Sequence, residues 1–501
     1  MDAQRTFLKM AVMDGAEVAK HNTEKDCWVV INGKIWDVSD FLAEHPGGAG
    51  VIGKYAGRDA TEAYSEVHDP ELVESTLSPS SYIGQVLPGS IGKLGHDATN
   101  AATKNLAKLT HPPLHSMINV ADFEVVAKGY LSPTGWAYYA GGAEDEVSLM
   151  DTRRLFRMIT FRPRVLRPVE PVSPAVKIMG YPSSLPLYIS PTGLGRYAYP
   201  NAESVLACAA GKEGVIYCMP TTSAHESVFA ARSVANQPLF FQLYTTRERV
   251  KAKAMIKKLE ALGAKALFVT VDSPVLGRRE ADERIKVADG IEVSSGGVAK
   301  AGSMGLLNPM LSWEDLKWIR ATTSMPLVLK GVQRSPVLFT FYVQLERRSL
   351  TRSLSQTVED AVLAYDLGVQ GIVLSNHGGR SLDGAQAPIL TLLEIRNHAP
   401  HLLSPTIRDK FQVFVDGGFR RGTDILKALA LGASAVGIGR PFLYSMTAEY
   451  GEAGVRRLLQ LFRVEIETSM ALVGATTVEQ LVPEMINSER AESEVSRRIK
   501  L

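Results

Sequence analysis

Residues 371–383 read GIVLSNHGGRSLD. An apolar run, Ile372-Val373-Leu374, stops at Ser375-Asn376, and His377 and Arg380 follow three positions apart with Gly378 and Gly379 between them. An imidazole titrates near neutral pH and can take a proton from a reacting group. A guanidinium can clasp a carboxylate through two parallel hydrogen bonds. Taken alone, the stretch fits equally well a polar turn whose histidine is a hydrogen-bonded bystander. Other apolar runs, however, end in the same way: Pro191-Thr192, Gln242-Leu243-Tyr244, Thr270-Val271-Asp272, Lys330-Gly331, Asp416-Gly417-Gly418 and Gly439-Arg440. Polar groups at nearly every run end are hard to explain by stability, and they act together only if the fold brings the ends to one place.

The elements that would do so are periodic. Short apolar runs occur at Leu187–Ser190, Val215–Met219, Phe240–Leu243, Leu267–Val271, Leu327–Leu329, Ile372–Leu374, Val413–Val415 and Ala435–Ile438. Helical patterns follow most of them, as at Ala202–Ala210, Arg247–Leu262, Val358–Leu367 and Asp424–Leu431. Eight strand–helix repeats predict a (β/α)8 barrel, whose strands point their C-terminal ends at one site. The competing fold is a doubly wound sheet, and Gly193–Ala198, GLGRYA, matches its dinucleotide fingerprint. No acidic residue ends the following strand, Val215–Pro220, to hold a ribose, so the dinucleotide reading is rejected.

In a barrel the last two strand ends are the usual phosphate grip. Here they read DGGFRRGTD from Asp416 and GIGRP from Gly437. Gly418 and Gly439 let backbone N–H groups approach, and Arg420 and Arg440 supply charge-assisted forks. A phosphate grip without a dinucleotide fold points to a mononucleotide cofactor such as FMN. The opening motif then acquires a role. Arg380 clasps a substrate carboxylate, His377 acts as general base, and Asp272 orients the imidazole. Lys330 sits where negative charge develops on a reduced flavin. Base, carboxylate clamp and flavin together describe oxidation of a 2-hydroxy acid.

The chain has 501 residues, 45% hydrophobic and 22% charged, with net charge +2. At roughly 150 residues per domain, that length fits two or three units, or a barrel plus a small domain. There is no basic stripe with interleaved aromatics, so no nucleic-acid partner is expected. No apolar run reaches the roughly 18 residues that span a bilayer. Cys27, Cys208 and Cys218 are too few for a disulfide framework and indicate a reducing compartment. The N-terminal residues do not read as a presequence, so a cytoplasmic location is expected ahead of the mitochondrial intermembrane space. The expected organisation is an extension at 1–17, a small domain at 18–87 with an Asn32-Gly33 hairpin turn, and a Gly/Ala/Thr/Asn/Lys-rich linker at 88–117. A barrel at 118–480 and a tail at 481–501 complete it.

Several motifs carry a resemblance. SNHGGR, TVDSPVLGRREAD, FQLY, VLKGVQ, DGGFRRGTDILKALALGA and IGRPFLY resemble the FMN-dependent 2-hydroxy acid oxidases and dehydrogenases over about residues 119–480, and GWAYYAGGAEDEVS at 135–148 resembles that family's N-terminal motif. The resemblance implies that Tyr138 and Tyr244 contact substrate and that Arg279 joins Arg380 at its carboxylate. It also implies that Thr192, Gln242, Thr270, Lys330, Arg420, Gly439 and Arg440 hold FMN. The small domain resembles cytochrome b5. In EHPGG and EVHDP it places His45 and His68, 23 positions apart, as axial ligands of haem b. The order of haem domain, linker and flavin barrel is similar to that of the flavocytochrome b2 family of L-lactate dehydrogenases. That order implies a small 2-hydroxy acid as substrate, cytochrome c as acceptor and a homotetramer. Two alternatives stay open: a haem electron carrier with a catalytically silent barrel, and an enzyme for another 2-hydroxy acid such as glycolate or mandelate.

Two departures stand out. Pro220-Thr221 occupies a strand end where the family offers small polar groups, which puts the pocket's side-chain preference in question. Residues 334–356 interpose 23 residues directly after Lys330, with four arginines, three aromatics, one acidic residue and no glycine. They read as a surface excursion, a lid, or a translated intron of 69 nucleotides (3 × 23), the last being preferred because its deletion restores an unbroken strand–loop–helix. If present, the segment is expected to bulge from the barrel mouth, leaving Lys330 and the helix from Val358 in place.

Overall fold

A computed structural model describes residues 12–45, 49–68, 72–91, 111–233, 237–288, 305–333 and 359–495. The chain divides into two compact units, Met1–His111 with Asp282–Met304, and Pro112–Ala281 with Gly305–Leu501.

The first unit is built on a six-stranded sheet: β1 (Val12–Met13), β2 (Asn22–Thr23), β3 (Asp26–Ile31), β4 (Lys34–Asp37), β5 (Arg58–Asp59) and β6 (Tyr82–Val86), in the order β1-β6-β4-β3-β2 with β5 on β3. The β3–β4 hairpin turns on Asn32 and Gly33, both in the left-handed region (φ 53° and 75°), as the Asn-Gly signal predicts. Alternation along the strands gives the sheet two apolar faces. Val29, Ile31 and Trp36 pack with Val38, Leu42, Ala56, Ala60 and Val73 on one side, and Val30 and Ile35 pack with Val18 and Val86 on the other. The unit begins before residue 18, because Val12 and Met13 pair with Gln85 and Val86. Most of the expected linker, 92–110, lies outside the described residues.

In the second unit the helices Val120–Tyr130, Pro133–Ala140 and Val147–Arg154 precede the short strand β7 (Thr160–Phe161) and a hairpin of β8 (Val176–Ile178) and β9 (Tyr181–Ser183). Eight parallel strands then close into a barrel. They are β10 (Leu187–Ile189), β11 (Ile216–Met219), β12 (Leu239–Leu243), β13 (Leu267–Thr270), β14 (Leu327–Val332), β15 (Gly371–Leu374), β16 (Gln412–Asp416) and β17 (Ala435–Ile438), with β17 returning to β10. All eight predicted runs form these strands. The doubly wound alternative is thereby excluded, and GLGRYA forms a short 3-10 turn, Gly195–Tyr197, instead of a cofactor loop.

The barrel strands read as unbroken apolar runs because both faces are buried. Tyr188, Ile216, Cys218, Phe240, Phe268, Val328, Val373, Phe414 and Ala435 fill one cluster, closed below by Ile178 of the hairpin, while the alternate residues join the larger core under the helices. Period two then fixes what comes next. Two residues beyond these interior positions stand Ser190, Gln242, Thr270, Lys330, Ser375 and Asp416, a buried polar layer at the C-terminal end of the barrel.

The outer helices include Ala202–Glu213, Arg249–Leu262, Glu359–Asp366, Gly422–Ala430 and Gly451–Val473. Lys330 keeps its place on β14, and the helix expected from Val358 begins at Glu359. The 334–356 segment lies outside the described residues. Within the expected tail, the strand β18 (Ile486–Asn487) pairs with β7, and Met485, Ile486, Ala491 and Val495 join the core. No helix among the described residues is long and apolar enough to cross a membrane.

Candidate active site

His377, Gly378 and Gly379 take φ of 59°, 66° and 74°, three consecutive left-handed residues. This turn explains the glycines of the opening motif. A Cβ on Gly378 would lie 2.9 Å from Arg440 Nη1, and one on Gly379 would lie 2.6 Å from the Leu149 nitrogen. His377 itself carries a conformation that costs a non-glycine residue about 1–2 kcal/mol. Its backbone N–H donates to Ser375 Oγ at 3.0 Å, which holds the turn.

The imidazole thereby faces two strands. Its Nδ1 is 2.9 Å from Asp272 Oδ1 and 3.2 Å from Ser273 Oγ, and its Nε2 is 3.4 Å from the Tyr244 hydroxyl. Burial lowers the His377 pKa, the Asp272 charge opposes that, and the Lys330 and Arg279 cations lower it further, so the neutral base is favoured. Burial alone would raise the Asp272 pKa, but His377 and Lys330 outweigh it and keep the carboxylate below its usual range. The Tyr244 hydroxyl is raised to about 12, first by burial and then by Asp272, and stays protonated as a donor.

Arg380 and Arg279 stand beside this pair. Arg380 lies 4.7 Å above the Tyr138 ring and donates to the carbonyls of Tyr138, Tyr139 and Gly141, while Arg279 Nε donates to the Arg380 carbonyl at 3.4 Å. The structure thus brings together His377, Asp272, Tyr244, Tyr138, Arg380 and Arg279 as expected from the sequence. It adds Ser273 and Ser375, which sequence reading missed although they adjoin Asp272 and Asn376. Asp383, given no role above, accepts from the Val147 and Ser148 N–H groups and docks that helix on the loop.

Below lies the buried polar layer. Gln242 Nε2 donates to Thr270 Oγ1 at 2.9 Å, and Thr221 N–H donates to Gln242 Oε1 at 3.2 Å. Lys330 Nζ is 3.3 Å from both Asp416 Oδ2 and Ser375 Oγ. Burial alone would lower its pKa, but Asp416 and Asp272 raise it well above the usual lysine range. Thr192 adjoins Gly439, where an added Cβ would meet its methyl at 3.1 Å. Gly418, at φ 81°, could carry no side chain, since a Cβ there would lie 2.2 Å from the Thr152 carbonyl oxygen.

The arginines expected at a phosphate behave differently from each other. Arg440 is partly buried and donates to the carbonyls of Tyr139, Gly378 and Gly141 at 2.7–3.0 Å. Burial and the charge of Arg380 drop its pKa to about 9. Arg420 is tied to Glu124. A cationic group so depressed calls for an anion, and buried carboxylate oxygens with no hydrogen-bond partner, Asp416 Oδ1 and Asp272 Oδ2, call for donors. A flavin mononucleotide, with its phosphate and its N–H and C=O edge, supplies both. In the first unit the His45 and His68 rings stand 6.1 Å apart, centroid to centroid. That spacing suits one iron between two imidazole nitrogens at about 2 Å each.

A barrel with these groups at its mouth, joined in one chain to a small sheet unit bearing two facing histidines, defines a flavin-dependent dehydrogenase with a haem module. Residues 127–337 and 355–488 match the FMN-dependent dehydrogenase family, and residues 14–87 match the cytochrome b5-like haem/steroid binding domain. The chain belongs to the FMN-dependent dehydrogenase family. It is 38% identical over 484 residues to the L-lactate dehydrogenase (cytochrome) of Wickerhamomyces anomalus, spanning 94% of this chain and 79% of that one. To the Saccharomyces cerevisiae L-lactate dehydrogenase (cytochrome) it is 37% identical over 495 residues, with the same spans. A flavocytochrome b2 double variant with pyruvate bound superposes with a TM-score of 0.69 at 36% identity, covering 80% of this chain and 94% of that one. Spinach (Spinacia oleracea) glycolate oxidase is 37% identical over 380 residues, 72% of this chain and 94% of its own. The family match pauses between residues 337 and 355, inside the 334–356 departure.

Proposed function

We propose that the protein oxidises L-lactate to pyruvate and passes the electrons through haem b to cytochrome c. The observation that carries the reading is the Asp272–His377 pair, its carboxylate buried, with Tyr244 at the far imidazole nitrogen and Arg380 and Arg279 alongside. In this reading Arg380 and Arg279 clasp the lactate carboxylate, Tyr138 and Tyr244 donate to it and to the hydroxyl, and His377 Nε2 takes the proton. Asp272 fixes the imidazole and stabilises the cation that forms on it. Bound FMN would supply a two-electron acceptor for the C–H and O–H hydrogens of the substrate, one of which His377 Nε2 holds as a proton. Gln242, Thr270 and Lys330 would hold the FMN ring, with Lys330 offsetting charge there, and Thr192, Asp416, Gly418, Arg420, Gly439 and Arg440 would hold the remainder. His45 and His68 would hold the haem iron.

The two-unit chain supports the electron path. Lactate releases two electrons and cytochrome c accepts one, and a one-electron haem on the same chain would supply the intermediate acceptor at high effective concentration. The silent-barrel alternative rested on disturbance after β14, and Lys330 remains engaged with Asp416 and Ser375 there. The homotetramer is part of the proposal and is tested by light scattering. Substrate choice is tested by steady-state rates with L-lactate, glycolate and mandelate, each with cytochrome c and oxygen as rival acceptors. The reading expects the highest kcat/KM for L-lactate with cytochrome c, and a higher value for glycolate with oxygen would contradict it.

A further inference from the structure

Around the phosphate end, cations outnumber anions. Arg440, Arg420 and Arg153 converge there, and one carboxylate, Glu124 of the helix Val120–Tyr130, stands among them. Its Oε2 accepts from Arg420 Nη2, and its Oε1 accepts from Arg153 Nη2 at 3.3 Å. The contact ties three elements distant in sequence: the first helix of the unit, the end of the helix Val147–Arg154, and the glycine loop after β16. Packing also holds the last two together. Thr152 lies against Gly417 and Gly418, the Phe156 and Phe419 rings are 4.9 Å apart, and Lys427 Nζ donates to the Phe156 carbonyl at 2.8 Å.

A second observation points to the same place. The Tyr444 hydroxyl is buried with no hydrogen-bond partner and lies within the electrostatic reach of Arg440, Glu124, Arg153 and Arg420. A buried donor left unmade costs about 1–3 kcal/mol, so the cluster lacks an acceptor. Arg420 offers five N–H groups and spends one edge on Glu124, which leaves the other available to a phosphate.

We propose that Glu124 is a positioning residue for the phosphate end of the flavin site. Its carboxylate aims the Arg420 and Arg153 guanidiniums at one point, where the FMN phosphate joins Arg440 and the Tyr444 hydroxyl. The proposal rests on the reading that FMN occupies the barrel mouth. It extends that reading to Glu124, Arg153 and Tyr444. Glu124 touches neither the ring nor the substrate and acts only through the arginines.

The test compares two flavins that differ only by the phosphate. The full-length chain, stripped of flavin, is titrated with FMN and with riboflavin, and binding is read by flavin fluorescence quenching. Wild type binds FMN far more tightly than riboflavin; equal affinities would overturn the site reading and this proposal together. Glu124→Ala lowers FMN affinity roughly ten- to hundredfold, the worth of a charge-assisted hydrogen bond, and leaves riboflavin affinity unchanged. Glu124→Gln, which keeps one acceptor oxygen, falls between. Equal losses for both flavins would show a merely structural role. An unchanged or raised FMN affinity in Glu124→Ala would show that the carboxylate repels the phosphate more than it helps. Either result overturns the proposal.

Discussion

Asp272 Oδ1 lies 2.9 Å from His377 Nδ1, with no exposed side-chain surface on the carboxylate. A base backed by a buried carboxylate in this way is stronger in the transition state than in the resting enzyme, because the ion pair strengthens as the imidazole takes its proton. Asp272→Asn keeps the shape and removes the charge. We expect kcat with L-lactate to fall by roughly 10²–10⁴, measured by stopped-flow flavin reduction.

The same pair fixes a pH dependence. The working form of His377 is neutral, and burial lowers its pKa below 6.5. The kcat/KM profile therefore holds as pH falls to that value and drops only below it. Because the Asp272 charge raises the His377 pKa, removing that charge moves the acid limb further down. A limb that moves up in Asp272→Asn would contradict the assignment.

Lys330 and Asp416 form a buried ion pair, and breaking one side of such a pair costs about 3–5 kcal/mol. Lys330→Met strands the Asp416 carboxylate, and urea unfolding followed by circular dichroism reads the loss. The double variant, Lys330→Met with Asp416→Asn, recovers most of that stability without recovering flavin reduction. A double variant as unstable as the single one would show that the pairing is not what the lysine contributes to the fold.

Gly418 and Gly384 both sit at φ above 70°, yet only Gly418 has backbone within 3 Å of an added Cβ. Gly384→Ala therefore bears only the left-handed conformation, about 1–2 kcal/mol. Gly418→Ala adds a clash with Thr152 that shifts the helix Val147–Arg154. FMN content after purification separates them: near normal for Gly384→Ala, and strongly reduced for Gly418→Ala.

In the first unit, His45→Ala removes one of the two facing imidazoles. The purified chain is expected to lose its haem Soret band while keeping flavin reduction by L-lactate. Cytochrome c reduction falls more than roughly tenfold, because the tether no longer presents an acceptor at high local concentration. Unchanged cytochrome c reduction would place the haem off the path.

How much of this was legible in the sequence follows from what each contact depends on. The eight strands were readable because strands buried on both faces carry unbroken apolar runs, and the ring of Gln242, Thr270, Lys330 and Asp416 was readable as polar residues closing those runs. The hydrogen bonds of Arg440 were not, since its partners are backbone carbonyls, those of Tyr139 and Gly141 some 300 positions away, and carbonyls leave no trace in composition. Arg420 shows the same limit. Its residue type announced an anion, but its tie to Glu124 arises only where the helix Val120–Tyr130 packs beside the barrel. The boundaries drawn at 18 and 480 missed β1 and β18, which are two residues long and too short to show periodicity.

The proposed oxidation depends on His377 as the base. Anaerobic mixing of His377→Gln with L-lactate, with flavin absorbance followed in time, tests it most directly. The expected result is a full complement of bound FMN and a flavin reduction rate lowered by at least roughly 10³. Bound FMN reduced at close to the wild-type rate would contradict it.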